Sequence, residues 1–247
     1  MTINNDYYEF LEKRKTNVKN CSKDQDLDLI SKKWFVKSFN HNYSYNFDWL
    51  GLPIIQYPQD IVAIQEIIWK TKPDIIIETG VARGGSIIFH ASMLHLLNSN
   101  GKVIGIDVDI RSHNRKAIED HPLSFRVNLV QGSSIDLSTI DTIKKLLKPS
   151  DKIMVILDSN HTHNHVLKEL ELYSPFVTNG CYLIVLDTCV EDLPDNLFNN
   201  RPWGKGNNPK TAAHEFMKTT DRFEIDENIH HKLVLTAARD GYLKCIK

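Results

Sequence analysis

The stretch Pro73-Asp74-Ile75-Ile76-Ile77-Glu78-Thr79-Gly80-Val81-Ala82-Arg83-Gly84-Gly85-Ser86 limits the fold more than any other part of the chain. Residues 75–77 are an unbroken apolar run without polar alternation, the pattern of a strand buried on both faces. The run closes on an acid and a glycine turn. An apolar helix is predicted over residues 87–97, with Ile87, Ile88, Ala91, Leu94 and Leu97 on one side. Strand, glycine turn and helix together make a local frame that holds a nucleotide-like ligand at a helix N-terminus, where glycines permit close approach and free amides point at the ligand.

The loop also restricts the ligand. It carries neither Lys-Ser/Thr nor a full P-loop, and Ala82 stands where G-x-G-x-x-G requires a second glycine. Glu78 at the strand end would repel a pyrophosphate and favour an ammonium or sulfonium group. S-adenosylmethionine, with its adenosine, amino-acid tail and cationic sulfur, suits this mixture; an ordinary strand-to-helix turn is the competing reading. On the ligand reading the contacts are Glu78, Gly80, Ala82, Arg83, Gly85 and Ser86.

Two further strands support the same frame. Residues 102–107 form a buried run ending in Asp107, where an acid accepts hydrogen bonds from ribose hydroxyls in nucleoside-binding sheets; a helix cap is the alternative, and Asp109 is a near competitor. A third strand over residues 125–130 runs into Gln131-Gly132-Ser133-Ser134, a small polar loop placed to meet an adenine edge. Helices are predicted over 61–71, with Asp60 as N-cap and Ile61, Ile64, Ile68 and Trp69 inward, and over 135–147. Aromatic residues crowd 34–57, either packing the N-terminal segment or forming a substrate wall.

The second informative block is residues 153–165, in which an apolar strand opens into Asp158-Ser159-Asn160-His161-Thr162-His163-Asn164-His165. Helical spacing predicts His161, His165 and Glu169 on one face. A histidine at a strand mouth titrates near neutrality and suits a general base. No H-E-x-x-H is present to make this a zinc site. A strand over 181–186 ends at Asp187, so Asp158 and Asp187 are placed to share a hard cation such as Mg2+. Residues 201–210 read as an irregular lid. A helix is expected over 212–218 and closing strands over 223–225 and 233–237, followed by a turn into a last short strand.

A formal net charge of −1 gives no electrostatic case for nucleic acid. No run approaches the roughly 18 apolar residues that span a membrane, and the polar start is no signal peptide. The four cysteines show no C-x-x-C spacing, which reads as reduced thiols in the cytoplasm.

Taken in order, Trp49-Leu50-Gly51-Leu52-Pro53 with Gln56 and Asp60, Glu78-Thr79-Gly80 to Ser86, Gly105-Ile106-Asp107, Asp158-Ser159-Asn160-His161 with His165-Val166, Asp187-Thr188, Pro202-Trp203 and Asn208-Pro209 resemble the cephalosporin hydroxylase/rhamnosyl O-methyltransferase family. The resemblance runs from about residue 45 to the C-terminus, leaving residues 1–44 as an N-terminal extension, in part helical or mobile, before a 45–247 methyltransferase domain. It implies an α/β class I S-adenosylmethionine-dependent methyltransferase fold, Rossmann-like, with a mostly parallel seven-stranded sheet flanked by helices. It also implies frequent use of Mg2+ and roles in modifying sugars of glycolipids, polysaccharides or antibiotics. Two departures stand out: Asn160 replaces the second acid of the family's Asp-Ser-Asp-His, and Leu186 replaces the Glu of its Glu-Asp pair. Asp158, Asn160 and Asp187 remain as the metal set, poorer in carboxylate than the family's and so a weaker hard-cation site.

The expected function is O-methylation of a hydroxyl on a sugar, glycan or natural-product intermediate. Glu78, Gly80, Asp107, Asp158, Gly132 and Ser133 hold the cofactor; His161 acts as base, with Asp158 and His165 beside it. By similarity to catechol-type methyltransferases, an acid followed three residues later by a base gives His161 that position. A homo-oligomer acting on a small-molecule or glycan substrate is expected. The alternatives are a cephalosporin-hydroxylase-like oxygenase, against which no two-His-one-carboxylate spacing is evident, and a cofactor-binding partner subunit with a decayed site.

Overall fold

A computed structural model describes residues 5–247. Two helices, α1 (Asn5–Cys21) and α2 (Gln25–Phe39), lead into a small antiparallel pair, β1 (Phe47–Trp49) and β2 (Leu52–Ile54). The remainder alternates as α3 (Pro58–Thr71), β3 (Ile75–Thr79), α4 (Gly85–Leu96), β4 (Lys102–Asp107), α5 (Ser112–Glu119), β5 (Val127–Gln131), α6 (Leu137–Leu146), β6 (Ile153–Leu157), α7 (His163–Tyr173) and β7 (Tyr182–Val185). It closes with α8 (Pro209–Phe216), β8 (Phe223–Ile225), α9 (Glu227–Leu233) and β9 (Tyr242–Cys245).

Seven strands form one sheet in the order β5-β4-β3-β6-β7-β9-β8, parallel except for β9, which runs against both β7 and β8. This is the seven-stranded, mostly parallel sheet expected. Every residue of β3, β6 and β7 is buried, as the unbroken apolar runs require of strands covered on both faces. α4 buries all of residues 87–94, so the one-sided face expected of it is a helix enclosed nearly all round.

The register sets the functional edge. Thr79 pairs with Ile106 on one side and Leu157 on the other, so Gly80, Asp107 and Asp158 leave the sheet level with one another. β3 and β6 are also where the strand order reverses, the crevice that open α/β sheets use for ligands.

Three local expectations fail. Asp60 is not the N-cap of α3: Tyr57 takes that place, and Asp60 turns inward at 1% exposure. There it accepts hydrogen bonds from Thr236 Oγ1, Ala237 N (2.8 Å) and Tyr242 Oη (2.7 Å). Trp69 is exposed rather than inward. No strand forms over 233–237: α9 reaches Leu233, and the following segment is tied to Asp60 and to Thr188 instead of to a neighbouring strand. All four cysteines are free, and no described helix is long and apolar enough to cross a membrane.

Candidate active site

The glycine loop is shaped by protein neighbours. Gly80 has φ +95°, and a Cβ there would lie 2.0 Å from the carbonyl oxygen of Asp158. A Cβ on Gly85 would meet the Pro53 carbonyl oxygen at 2.3 Å. The glycines expected to admit a ligand therefore first admit β6 and β2. Their effect on a ligand is indirect: they bring the loop amides to the sheet edge, where Ala82 also sits in the left-handed region at φ 45°. Asp107 secures this conformation, since its Oδ2 accepts from Val81 N (2.9 Å) and Ala82 N (3.3 Å) and its Oδ1 from Asp109 N (3.1 Å). A carboxylate has about four acceptor positions, so capacity for a ribose hydroxyl remains.

The other residues expected to hold the cofactor divide. Arg83 is exposed, with its guanidinium 3.3 Å from His113 Nε2, and Ser86 is part-buried at the start of α4. Gly132 donates its N–H to the Asp107 carbonyl (2.9 Å), which draws the Gly132-Ser133 loop beside the acid. Glu78 does not face the crevice. It is fully buried, and His90 Nε2 from α4 lies 2.8 Å from its Oε2, outside hydrogen-bond alignment. Residue 78 sits one position inside the last residue of β3, and β4, β6 and α4 close over it. Any influence on a sulfonium is a field effect through the interior. His90 was not singled out by sequence; a histidine in the middle of an apolar helix that follows a strand-end acid is the signal that could have found it.

β6 and β7 deliver the chemistry. Asp158, His161 and Asp187 converge so that one donor atom of each lies within 4.8 Å of the others. His161 Nε2 is 3.2 Å from Asp187 Oδ2 and 3.8 Å from Asp158 Oδ1. Burial pushes the Asp158 carboxyl well above its usual value, and the like charges of Asp187, Glu78 and Glu169 add to the effect. The histidine, a bound cation or a proton must offset this concentration of acid. Asp187 adopts the left-handed conformation at φ 54°. It is anchored from the next residues, as Thr188 Oγ1 donates to Arg239 O (2.6 Å) and Cys189 N to Ala237 O (3.1 Å).

Three expectations about this block are corrected. His161 is not on a helix face with His165 and Glu169: α7 begins at His163, and His161 belongs to the preceding loop. His165 is engaged with partners other than Asp158 and Asp187, among them Ser159 Oγ at 3.3 Å. Its Nε2 is 3.0 Å from Ser134 Oγ and 3.6 Å from Glu169 Oε1, linking α7 to the loop after β5. Asn160 is committed locally: its Oδ1 accepts from Thr162 N (2.9 Å) and Thr162 Oγ1 (2.7 Å), a turn that starts α7.

Beside this cluster lies a cavity of about 290 Å³. Its walls include Phe35, Tyr43, Tyr45, Gln56, Phe198 and Trp203, together with Ala82, Asp158, His161 and Asp187. The aromatic residues of 34–57 thus both pack and line: Phe35 and Tyr57 stand 4.5 Å apart, ring to ring, in a second apolar cluster. Trp203 packs 4.8 Å from the His161 ring, and the Arg201 guanidinium lies 5.3 Å from the Trp203 ring. The segment read as an irregular lid is braced. Glu191 accepts from Gly206 N (2.8 Å) and the Asn208 amide, and Asn207 Oδ1 accepts from His163 N (2.9 Å). Asn208 also caps α8 with a full capping box.

Comparison with known proteins agrees with this architecture. The rhamnosyl O-methyltransferase/CmcI family model matches residues 41–246. A rhamnosyl O-methyltransferase of Mycobacterium tuberculosis H37Rv is 28% identical over 200 residues, covering 79% of this chain and 76% of that protein. Its counterpart from Mycobacterium leprae is 29% identical over 163 residues, covering 66% and 68%. Among solved structures, CmcI with magnesium and S-adenosylmethionine superposes with a TM-score of 0.57 at 19% identity, over 82% of this chain and 78% of that one. An O-methyltransferase from Bacillus cereus in complex with S-adenosylhomocysteine gives 0.52 at 17% identity, over 78% and 81%. The sheet order is that of a class I methyltransferase, and with a family match spanning 41–246 the chain belongs to the rhamnosyl O-methyltransferase/CmcI family.

Proposed function

We propose that the protein is an S-adenosylmethionine-dependent O-methyltransferase that methylates a sugar hydroxyl, with His161 as the general base. The observation that carries this reading is the meeting of His161, Asp158 and Asp187 at the carboxyl edge of β6 and β7, one strand from the glycine loop and open to an aromatic-walled cavity. Family membership supplies the reaction class. The relatives' name supplies the sugar, whose ring presents apolar C–H faces to aromatic walls and hydroxyls to polar groups.

In this reading the cofactor lies along the amides of residues 80–86, with Asp107 at its ribose and the Gly132-Ser133 loop at its adenine. Bound S-adenosylmethionine would supply the methyl group, its S–CH3 bond breaking to leave S-adenosylhomocysteine as the acceptor oxygen takes the methyl; His161 would take the hydroxyl proton, and Asp187 at 3.2 Å would stabilise the imidazolium. Alignment and exclusion of water supply much of the acceleration, because the sulfonium is already an activated methyl donor.

A magnesium ion fits the residues present. Mg2+ is commonly held by one or two carboxylates with waters completing the shell, and the crowding that raises Asp158 is relieved by a cation. Asp158 and Asp187 would hold it, and the ion would lower the pKa of an acceptor hydroxyl and orient it. With Asn160 turned to Thr162, the carboxylate pair is the donor set that remains.

The test is transfer of labelled methyl from S-adenosylmethionine to a panel of rhamnosides and other glycosides, with Mg2+ and with EDTA. Label should appear in a glycoside product with the wild type and be lost with His161→Ala while cofactor binding persists. Normal cofactor binding with no product from any glycoside would remove the sugar-acceptor reading.

A further inference from the structure

Gln56 is the unexplained polar group of the cavity. It is 5% exposed, lines the cavity wall, and neither its Oε1 nor its Nε2 has a hydrogen-bond partner. A buried amide with both ends unpaired is rare in a folded protein and marks a group awaiting a partner. It is also held firmly. Ile54 two residues earlier is 1% exposed at the end of β2, and Tyr57 is buried as the N-cap of α3 with its ring against Phe35.

We propose that the Gln56 carboxamide sets acceptor specificity by hydrogen-bonding adjacent hydroxyls of the sugar. A carboxamide offers two N–H donors and a carbonyl acceptor. A vicinal diol offers the matching pair, one hydroxyl oxygen to accept and one hydroxyl to donate. The surrounding walls, Phe35, Tyr43, Tyr45, Phe198 and Trp203, offer ring faces to the apolar side of the same sugar. His161 and Asp187 line the same cavity, where the hydroxyl that reacts would meet them. A site built to hydrogen-bond a hydroxyl rejects analogues lacking it far more strongly than an apolar pocket rejects a size change. This inference rests on the sugar-acceptor reading above and adds the residue that distinguishes one sugar from another.

The experiment compares wild type, Gln56→Met and Gln56→Glu, each loaded with S-adenosylhomocysteine. Affinity for p-nitrophenyl α-L-rhamnopyranoside and its single-deoxy analogues is measured by NMR titration, and affinity for S-adenosylhomocysteine by calorimetry. Gln56→Met keeps the volume and removes the polar ends; Gln56→Glu keeps the acceptor if packing fails in the first variant. The expected result is roughly a tenfold loss of rhamnoside affinity in Gln56→Met, a matching loss in wild type when one deoxy analogue replaces the rhamnoside, and unchanged cofactor affinity. Equal rhamnoside affinity in wild type and both variants would overturn the proposal and assign the amide to a trapped water. A tenfold loss of S-adenosylhomocysteine affinity would overturn it in favour of a contact to the cofactor's amino-acid tail. If wild type binds S-adenosylhomocysteine and none of the glycosides, the sugar reading itself fails and this inference fails with it.

Discussion

The two sides of the cleft are built from different material. On the side assigned to the cofactor, backbone does the work: the loop of residues 80–86 is bent by three glycines, pressed on β2 and β6, and held by one carboxylate, Asp107, through two loop amides. On the side proposed for the acceptor, side chains converge from segments far apart in the chain. Phe35 and Tyr43 come from the N-terminal part, Gln56 from the turn after β2, Asp158 and His161 from the end of β6, and Asp187 and Trp203 from beyond β7. A backbone-built site tolerates many side-chain changes and few glycine changes; a side-chain-built site tolerates the reverse. The cofactor is shared by a large reaction class and the acceptor is not, so the first construction suits a fixed ligand and the second a variable one.

Substitutions can break this contrast, and the largest effect is expected at Gly80. Gly80→Ala imposes a side chain at φ +95° against the Asp158 carbonyl. It should cost about 3 kcal/mol or more of stability and abolish cofactor binding, read by thermal unfolding and calorimetry. On the acceptor side His161→Ala should leave stability and cofactor affinity intact and lower kcat by roughly a hundred- to ten-thousandfold, measured with saturating glycoside. Equal loss of cofactor binding in the two variants would erase the distinction.

Asp60 sharpens the comparison because it lines the cavity on the side proposed for the acceptor. Burial lifts its carboxyl from 3.8 to about 6 against the hydrogen bonds it accepts, so the fold binds this proton more tightly than the unfolded chain does. Its contribution to stability is therefore full below pH 3.8, is lost as pH rises to about 6, and is level above that. Relative to Asp60→Asn, the wild type should lose about 3 kcal/mol across that window, measured by denaturant unfolding at a series of pH values. A difference curve that is flat from pH 3.8 to 6 would show that Asp60 stays ionised in the fold. The smallest effect is expected at Trp203. Trp203→Leu removes the ring beside His161 and Arg201 and should raise KM for a glycoside roughly fivefold, about 1 kcal/mol, with kcat nearly unchanged.

The same division explains what sequence could reveal. Residues 75–77, 103–106 and 153–157 are short, largely apolar runs followed at once by Glu78, Asp107 and Asp158, so these strands, the sheet class and the carboxyl-edge acids could be read without coordinates. Side-chain direction could not. Glu78 and Asp107 look alike as strand-end acids, yet one is enclosed with His90 and the other holds the loop, because Glu78 lies one residue inside the strand and Asp107 at its end. Asn160 and His161 are neighbours with opposite destinations, since the turn that starts α7 uses Asn160 and leaves His161 free to meet Asp187. The Gln56 environment depends on packing between β2, α3 and the N-terminal aromatics, which no local pattern encodes. Sequence assigned the parallel strands and the acids at their carboxyl edge; it placed a strand over 233–237 that does not form and gave His161, His165 and Asn160 neighbours different from those the fold provides.

The central claim is that the backbone-built side of the cleft binds S-adenosylmethionine. Calorimetric titration of S-adenosylmethionine and S-adenosylhomocysteine into wild type, His161→Ala and a folded loop variant, Asp107→Ala, tests it directly. The account predicts micromolar binding of both ligands to wild type and to His161→Ala, and loss of at least tenfold in Asp107→Ala, which frees the two loop amides and removes the ribose acceptor. No heat with wild type, or equal affinity in Asp107→Ala, would contradict it.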